Sequence, residues 1–243
     1  SGGTPSSCTG LGQNEGRRID LEGARVLLVG ASGGLGPSVT EAFLAGGARV
    51  AATARQWSAA PAGVTAIHAD LSLPGAAARM VESAAAALGG LDVAVQIAGG
   101  FAMDGPIADT SEETFDRMIA LNLRAAFLTF RAAAPLVSHG RGRLLAVGAL
   151  AGLKPAAGLS AYAASKAGLH ALIQTLAAEG RAAGYTANAV LPGVIDTPAN
   201  RAAMPGADPS RWVPPASIAS LLVWLASPAG AATNGALIPI EGR

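Results

Sequence analysis

The sequence predicts an α/β protein: one doubly wound domain with a parallel seven-stranded sheet and helices on both faces. Two features carry this prediction. Short runs rich in β-branched and other apolar residues alternate with helical stretches along the chain, and a glycine-rich turn directly follows the first run. A length of 243 residues is enough for one such domain with a full hydrophobic core.

The strands are predicted from segments whose interiors carry no charge. They are Arg25–Val29, Arg49–Thr53, Val64–His68, Asp92–Ile97, Arg143–Val147, Thr186–Leu191 and Ala236–Ile240. Between them, apolar residues recur at helical spacing, as do Leu169, Leu172, Ile173 and Leu176. Strands without a polar face need cover on both sides, so the sheet is expected to be parallel with right-handed crossover helices.

The domain is expected to span residues 19–243, after a Ser/Gly/Thr-rich segment, residues 1–18, that we interpret as a flexible tail. The N-terminus lacks a basic stretch followed by an apolar one, so no signal peptide is expected and a cytoplasmic location is predicted. The single cysteine, Cys8, excludes an intrachain disulfide and a cysteine-rich metal site.

Charge and hydropathy argue against several kinds of partner. Seventeen Lys and Arg against sixteen Asp and Glu leave a net charge of +1, so no basic surplus is available for nucleic acid. The longest uncharged run, Trp212–Ile240, is interrupted by prolines. Its apolar centre, Ile218–Ala226, is far shorter than the ~20 residues of a membrane span, so no membrane association is expected. The three histidines lack metal-binding spacing, and we expect no metal site.

The glycine-rich turn is the first candidate binding element. It reads Gly30-Ala31-Ser32-Gly33-Gly34-Leu35-Gly36 and is followed by a predicted helix. Glycines let backbone N–H groups approach a pyrophosphate, and the helix N-terminus adds its positive dipole end. The spacing GxxxGxG differs from the general GxGxxG dinucleotide pattern, so a plain tight turn remains the alternative.

The end of the second strand indicates which dinucleotide would bind. A carboxylate there would bind a ribose 2′-hydroxyl, whereas a cation would accept a 2′-phosphate. The chain has no acid at this point, and Arg55 follows directly, which favours NADP(H) over NAD(H). A solvated arginine at the start of a loop is the alternative. Asp70, after the third strand, could bond the adenine edge or simply cap the strand end.

Tyr162 and Lys166 are the candidate catalytic pair. They are four residues apart at the start of a predicted helix, which places both on one face. A nearby ammonium favours the phenolate and is expected to lower the tyrosine pKa towards neutrality. Taken alone, this spacing is common, and it favours a chance surface pair over a catalytic one. Asn122 lies on an apolar helical stripe, where an amide is either a structural hydrogen-bonding group or part of a site.

Together these features resemble the short-chain dehydrogenase/reductase family over nearly the whole chain from Asp20 onward. The ordered set is Gly30/Gly34/Gly36, Asp70, Ala98-Gly99, Asn122, Tyr162/Lys166, Pro192-Gly193 with Thr197, and a terminal Gly235…Gly242 strand. The resemblance implies a Rossmann fold in which Tyr162 is the acid/base and Lys166 binds the nicotinamide ribose and lowers the tyrosine pKa. It also implies that Asn122 positions a water in a proton relay.

The resemblance further implies the cofactor contacts. These are Gly30, Ser32, Gly33, Gly34, Leu35, Gly36, Arg55, Asp70, Leu71, Ala98, Gly99, Tyr162, Lys166, Pro192, Gly193, Val194, Ile195 and Thr197. Phe101, Met103 and Asp104 fall where the family lines its substrate pocket. The helices that carry Asn122 and Tyr162 form the dimer interface in the family, so a homodimer or homotetramer is expected.

One departure from the family pattern affects a residue that would contact the substrate. Ala149 occupies the position, thirteen residues before Tyr162, where the family has a serine that bonds the substrate carbonyl oxygen. Three alternatives follow. The substrate does not need the hydroxyl, as in the similar dihydropteridine reductase branch, which has a small apolar residue there and reduces a quinonoid pterin. Another hydroxyl replaces it, Ser160 being the nearest in sequence to Tyr162. Or the protein binds its cofactor without turnover.

Other departures are structural. Gln96-Ile97 replaces the Asn-Asn of the family's Asn-Asn-Ala-Gly. Pro239 lies inside the last predicted strand, which is tolerable at a sheet edge. The long loop Pro192–Pro215 is a candidate lid, or else a passive connection. The sequence thus predicts an NADP(H)-dependent oxidoreductase acting on a small carbonyl, hydroxyl or conjugated imine substrate, with an inactive NADP(H)-binding sensor or scaffold as the alternative.

Overall fold

Seven parallel strands form one sheet in the order β3-β2-β1-β4-β5-β6-β7 in the computed structural model, which describes residues 20–57, 59–137 and 140–242. The strands are β1 Arg25–Val29, β2 Arg49–Ala54, β3 Val64–His68, β4 Val93–Gln96, β5 Gly142–Val147, β6 Tyr185–Pro192 and β7 Leu237–Ile240. Each predicted strand is present and its ends differ from the prediction by at most one residue, so the predicted fold class is confirmed. The predicted tail, with Cys8, lies outside the described residues.

Helices cover both faces of this sheet. They are α1 Gly36–Ala45, α2 Ala76–Leu88, α3 Glu112–Met118, α4 Ala125–Ala133, α5 Ser160–Ala183, α6 Pro198–Ala203 and α7 Pro215–Ala226. A π-helical turn, Ile119–Arg124, joins α3 to α4 into one continuous helical stretch. No helix among the described residues is long and apolar enough to cross a bilayer.

The core has two layers because successive strand residues point to opposite faces. Leu27 of β1 packs with Phe130 and Ile173 on the side of α2, α4 and α5. Its neighbour Leu28 packs with Phe43 on the side of α1 and α7. Burial on both faces explains why the five inner strands read as uncharged runs rather than as alternating polar and apolar residues.

The connection between β2 and β3 departs from the predicted alternation. Residues 55–63 contain no helix among their described positions, because a crossover helix needs a dozen or more residues. Trp57 packs instead against the layer beneath α1. Gly63, with a φ of +79°, turns the chain into β3.

The last strand lies at an edge of the sheet, where the sequence analysis expected the proline within it to be tolerated. Among the described strands β7 pairs with β6 alone, so Pro239 lies on an edge strand as predicted. The segment Pro192–Pro215 is more ordered than a loop: it contains α6, and a bridge between Ile195 and Val213 closes its base. The strand order reverses at β1, between β2 and β4, and this switch point opens a crevice at the carboxyl ends of the strands.

Candidate functional site

The glycine-rich turn lies at that switch point and is tightly packed. Gly30 has a φ of +90°, and a Cβ on it would lie 2.6 Å from the Cβ of Ala98 at the end of β4. The N–H groups of Gly30 and Ala31 both donate to the carbonyl of Thr53, at 3.1 and 2.8 Å. A Cβ on Gly36 would overlap the carbonyl of Ala31. Glycine is therefore required by close backbone approach at both ends of the turn.

The exposed part of the turn presents an open helix N-terminus. Ser32, Gly33 and Gly34 are exposed, and α1 begins two residues later. No side chain caps α1, and its first turn holds no acidic residue. Its positive dipole end is therefore available to an anionic ligand such as a pyrophosphate.

The segment after β6 lies over this turn. A Cβ on Gly34 would be 3.0 Å from the Cβ and from the Cγ2 of Thr197. Thr197 is buried and caps α6 by accepting a hydrogen bond from the Asn200 N–H at 3.2 Å. Gly193 is held to the sheet edge by donating to the Ile240 carbonyl at 2.9 Å. Two segments far apart in sequence thus form one wall of the crevice.

Arg55 and Asp70 lie beyond neighbouring strand ends. Arg55 is exposed immediately after β2 and forms no ion pair with another described residue. Asp70 accepts hydrogen bonds from the Ser72 N–H and hydroxyl, at 3.0 and 2.7 Å. These bonds, together with the charge of Arg55, lower the pKa of Asp70. Its carboxylate acts locally as a turn cap, while Arg55 remains available to a ligand.

Lys166 and Tyr162 extend from α5 towards the end of β4. Lys166 is 5% exposed, and its Nζ donates to the Val147 carbonyl at 3.1 Å. A Cβ on Gly99 would lie 3.3 Å from Lys166 Nζ and 2.7 Å from Asn122 Oδ1. Gly99, Asn122 and Lys166 therefore meet at one point, and the Tyr162 ring centroid is 6.0 Å from the ammonium.

Burial dominates the ionisation of this pair. Burial raises the pKa of Tyr162 to about 12 and lowers the pKa of Lys166 to about 8. The tyrosine pKa is therefore raised and not lowered as expected, because desolvation outweighs the charge of the ammonium, which donates to the Val147 carbonyl. At neutral pH Tyr162 holds its proton and Lys166 is charged.

Asn122 is a hydrogen-bonding centre within the π-helical turn. Its Oδ1 accepts from the Gly100 N–H at 2.8 Å, and its Nδ2 donates to the Gly100 carbonyl and to Ser165 Oγ, each at 3.0 Å. The Ser165 hydroxyl in turn donates to the Tyr162 carbonyl at 2.7 Å. Asn122 thus fixes the loop after β4 to the helix that carries Tyr162. Single π-turns of this kind are frequent at functional sites.

Ala149 begins a short turn, Leu150–Gly152, after β5 and is 4% exposed. It offers no hydroxyl, and Ser160 does not face Tyr162 as a replacement. The Ser160 hydroxyl lies 3.1 Å from that of Thr110, in a groove that also contains Phe115. Residues two apart on a helix do not share a face, so Ser160 and Tyr162 point to different sides of α5.

His170 lies beside the candidate catalytic pair, although the sequence analysis weighed the histidines only as possible metal ligands. It follows Lys166 by one helical turn, is 3% exposed, and neither ring nitrogen has a hydrogen-bond partner among the described residues. Its ring fits between Gly148 and Gly152, where added Cβ atoms would lie 2.6 Å from Nε2 and 2.9 Å from Nδ1. Burial, with the charge of Lys166, lowers the pKa of His170 to about 4. The spacing 162, 166, 170 was the available sequence signal.

The mouth of the site is apolar. The exposed Phe101 ring packs edge-to-face on Tyr162 with centroids 5.0 Å apart. Among the described residues, no group of three or more His, Cys, Asp or Glu side chains could hold a metal ion. The site therefore combines an uncapped helix N-terminus, a protonated phenol and a buried ammonium.

A family model, curated proteins and solved structures were compared with this chain, and short-chain dehydrogenases are among the matches in each comparison. A family model described as short chain dehydrogenase matches residues 24–207. The cyclic-di-GMP-binding biofilm dispersal mediator protein of Escherichia coli is 32% identical over 234 residues, or 90% of this chain and 96% of that protein. The 3-oxoacyl-[acyl-carrier-protein] reductase MabA of Mycobacterium tuberculosis is 31% identical over 237 residues, or 94% and 95%. A crystal structure of a short chain dehydrogenase from Burkholderia cenocepacia in complex with NADP superposes with a TM-score of 0.80 at 33% identity, covering 93% of this chain and 98% of that one.

Proposed function

We propose that this chain, which belongs to the short-chain dehydrogenase family, is an NADP(H)-dependent oxidoreductase. It transfers a hydride between the nicotinamide and a small carbonyl or hydroxyl compound, or a conjugated imine. The observation that carries the proposal is the meeting of Gly99, Asn122 and Lys166 beside Tyr162, at the carboxyl edge of the sheet.

The residues present fit a phosphorylated dinucleotide. The exposed Ser32–Gly34 turn and the uncapped start of α1 would hold the pyrophosphate. Arg55, exposed at the end of β2, would bind the 2′-phosphate. Pro192–Thr197 would lie along the nicotinamide, because Thr197 already contacts the turn at Gly34. The similar Burkholderia protein was crystallised with NADP, which supports the choice of cofactor.

The chain's own residues would manage the proton. The bound cofactor supplies the hydride. Tyr162 is protonated at neutral pH, so it donates its phenolic proton to the substrate oxygen or nitrogen as negative charge develops there. The ammonium of Lys166 stabilises the phenolate left behind. Asn122 holds the loop after β4 and α5 in register, so that the phenol and the Gly99 backbone keep a fixed separation.

The direct test uses purified protein and NADPH. Binding is followed by NADPH fluorescence, and turnover by loss of absorbance with a ketone, a 3-oxoacyl thioester and a quinonoid dihydropterin. Tyr162→Phe is expected to lower turnover by about 10²-fold or more and to leave NADPH affinity unchanged. The matched control is Tyr185→Phe, which removes the other hydroxyl of this type. Full activity of Tyr162→Phe on any substrate would overturn the mechanism.

Ala149 favours a second candidate within the same reaction class. Without a serine hydroxyl at this position, a substrate that needs no donor to a ketone oxygen is favoured, and a conjugated imine of the quinonoid pterin type meets that requirement. The remaining alternative is a sensor that binds NADP(H) and acts through a partner. It predicts tight NADPH binding with no turnover on any of the three substrate classes.

Exposed apolar side chains near Asn122 support self-assembly of this chain. Leu121, next to Asn122 in the π-helical turn, is 40% exposed, and Phe127 on α4 is 47% exposed. Exposed apolar side chains on this helical stretch support a homodimer or homotetramer. Sedimentation at micromolar concentration is expected to give a dimer or larger, and a monomer would contradict it.

A further inference from the structure

The imidazole of His170 fills the inner side of the turn that follows β5, residues 148–152. Glycine stands at both ends of this turn, and a Cβ on either glycine would collide with the ring. It would lie 2.6 Å from Nε2 on Gly148 and 2.9 Å from Nδ1 on Gly152. The histidine is 3% exposed. The absence of a side chain at both glycines therefore gives the ring its space.

The ring holds this position through packing alone. Neither of its nitrogens has a hydrogen-bond partner among the described residues. The turn is fixed by backbone bonds instead: the Gly148 N–H donates to the Val190 carbonyl at 2.8 Å, and the Gly152 N–H donates to the Ala149 carbonyl at 3.0 Å. Because the ring forms no hydrogen bond here, what it contributes is volume, and an apolar side chain of similar size could take its place.

The space that the ring fills adjoins the carbonyl that holds Lys166. Lys166 precedes His170 by one turn of α5, which places the two side chains on one face of the helix. The Lys166 Nζ donates to the Val147 carbonyl at 3.1 Å, and Val147 is the residue directly before Gly148. Lys166 is 5% exposed. The ring thus packs against the residue that follows the carbonyl on which the ammonium depends.

Few charges face Lys166 from the elements around it. The segments 96–100 and 147–152 contain no titratable side chain, and the π-helical turn contributes the neutral amide of Asn122. On α5 the titratable neighbours are Tyr162, whose ring centroid is 6.0 Å from Nζ, and His170. The charged residues of the other elements packed on α5 are exposed, namely Glu112, Glu113, Asp116, Arg117, Arg124 and Arg131, and Tyr185 lies at the amino end of β6. Exclusion of water therefore dominates the ionisation of Lys166.

From this arrangement we infer that His170 is a positioning residue: its ring occupies the space beside the Val147 carbonyl, keeps water out of it and so holds the Lys166 ammonium on that carbonyl. The inference rests on the function proposed above, because the ammonium serves the reaction by stabilising the phenolate of Tyr162. An emptied space next to a carbonyl and an ammonium is polar and large enough to take up a water molecule. Such a water would hydrate the ammonium and raise the pKa of Lys166 from about 8 towards the ordinary 10.5.

The test measures the ionisation of the lysine directly. Lys154 and Lys166 are the two lysines of the chain, so protein labelled with ¹³C at lysine Cε gives two NMR signals, which are followed from pH 6 to pH 11. Lys154 has a 70% exposed side chain and serves as the internal reference. In the wild type, Lys166 is expected to titrate with a midpoint near pH 8. A wild-type midpoint near 10.5 would overturn the inference.

Three variants empty the space in steps. His170→Leu keeps it filled and dry, so the Lys166 midpoint is expected to stay within about 0.3 pH unit of the wild type. His170→Ala is expected to raise the midpoint by about one pH unit or more, and His170→Val by an intermediate amount. The Val variant removes less volume, so it supplies the measurement if the Ala variant does not fold. Equal midpoints in the wild type and in the Val and Ala variants would overturn the inference.

Ile173→Ala is the matched control for loss of packing in α5. Ile173 is fully buried on the same helix, within the apolar layer that contains Leu27 and Phe130. Its truncation opens an apolar cavity that stays dry, so the Lys166 midpoint is expected to remain that of the wild type. A rise equal to that of His170→Ala would show that any loosening of α5 exposes the lysine, and it would reject a specific role for His170.

Kinetics separates this inference from the proposed function. In the pH profile of kcat/KM for reduction, the alkaline limb of His170→Ala is expected to move upward by as many pH units as the Lys166 midpoint, because one ionisation controls both. A limb that stays in place while the midpoint moves would overturn the positioning role. If none of the proteins turns over any substrate, the oxidoreductase proposal fails, and the NMR midpoints still decide whether His170 keeps water from Lys166.

Discussion

The buried imidazole of His170 leads to a quantitative prediction about stability. Its pKa is lowered from 6.5 to about 4 in the folded protein. The unfolded chain therefore takes up a proton on this residue as the pH falls through 6.5, whereas the folded chain does so only near pH 4. Folding stability is complete above the unfolded pKa and is lost progressively between these two values.

The size of the effect follows from the shift. At 1.36 kcal/mol per pKa unit, the free energy of unfolding falls by ~3 kcal/mol over the whole window and by about 2 kcal/mol between pH 7 and pH 5. His170→Leu removes the titrating group and keeps a similar volume between Gly148 and Gly152. It also removes two nitrogen atoms that lack partners among the described residues, so no hydrogen bond is lost.

The assay is urea unfolding of wild type and variant at pH 7 and at pH 5, with the slopes compared to check that unfolding is two-state. Wild type is expected to lose about 2 kcal/mol more than His170→Leu over this range, because all other titrating groups are common to both proteins. His170→Phe, which also cannot titrate, serves as the second variant and must give the same reduced dependence. Parallel losses in the three proteins would refute the buried, uncharged imidazole.

Three further predictions concern the cofactor and the reaction. Arg55→Ala is expected to raise the Kd of NADPH about 10- to 100-fold, because it removes a charge-assisted contact to the 2′-phosphate. The Kd of NADH, which lacks this phosphate, is expected to stay unchanged in parallel fluorescence titrations. Ala149→Ser is expected to raise kcat/KM for a simple ketone by up to ~10²-fold if a carbonyl donor is missing, whereas an unchanged rate would favour a conjugated imine substrate. The pKa of Lys166 is lowered to about 8, so the lysine loses its positive charge as the pH rises above this value. The kcat/KM value for reduction is therefore expected to decline above about pH 8 in a profile measured from pH 6 to pH 10. A kcat/KM value that stays constant to pH 10 would contradict this.

The strands could be predicted from the sequence because the composition of each short segment is enough to indicate a strand. The five inner strands are buried on both faces and join segments rich in glycine, proline or polar residues, so their composition alone marks their positions. The edge strands β3 and β7 are only partly covered, and they were recognised by their β-branched residues and by the regular alternation. The edge position of Pro239 followed in the same way from one missing N–H. The connection between β2 and β3 was the exception: it has no helix among its described positions, because residues 55–63 are too few for a crossover helix.

The candidate site was predictable only in part. The glycine turn, Asn122, Tyr162 and Lys166 were found from spacing and from the resemblance they carry. The ionisation of Tyr162 was predicted in the wrong direction, because desolvation depends on what covers the ring and on where the Lys166 ammonium points. The four-residue spacing of Tyr162 and Lys166 predicts neither the burial of the ring nor the direction of the ammonium.

The sequence by itself determined the fold class, the order of the strands along the chain and the residue types available to bind a dinucleotide and move a proton. These follow from hydrophobic periodicity and backbone sterics, which act over a few residues. The tertiary structure alone decided that Thr197 covers Gly34, that Gly99 meets both Asn122 and Lys166, and that His170 is enclosed between Gly148 and Gly152. Such contacts join residues far apart in the chain, and they exist only once packing of the helices on the sheet has fixed where each side chain points.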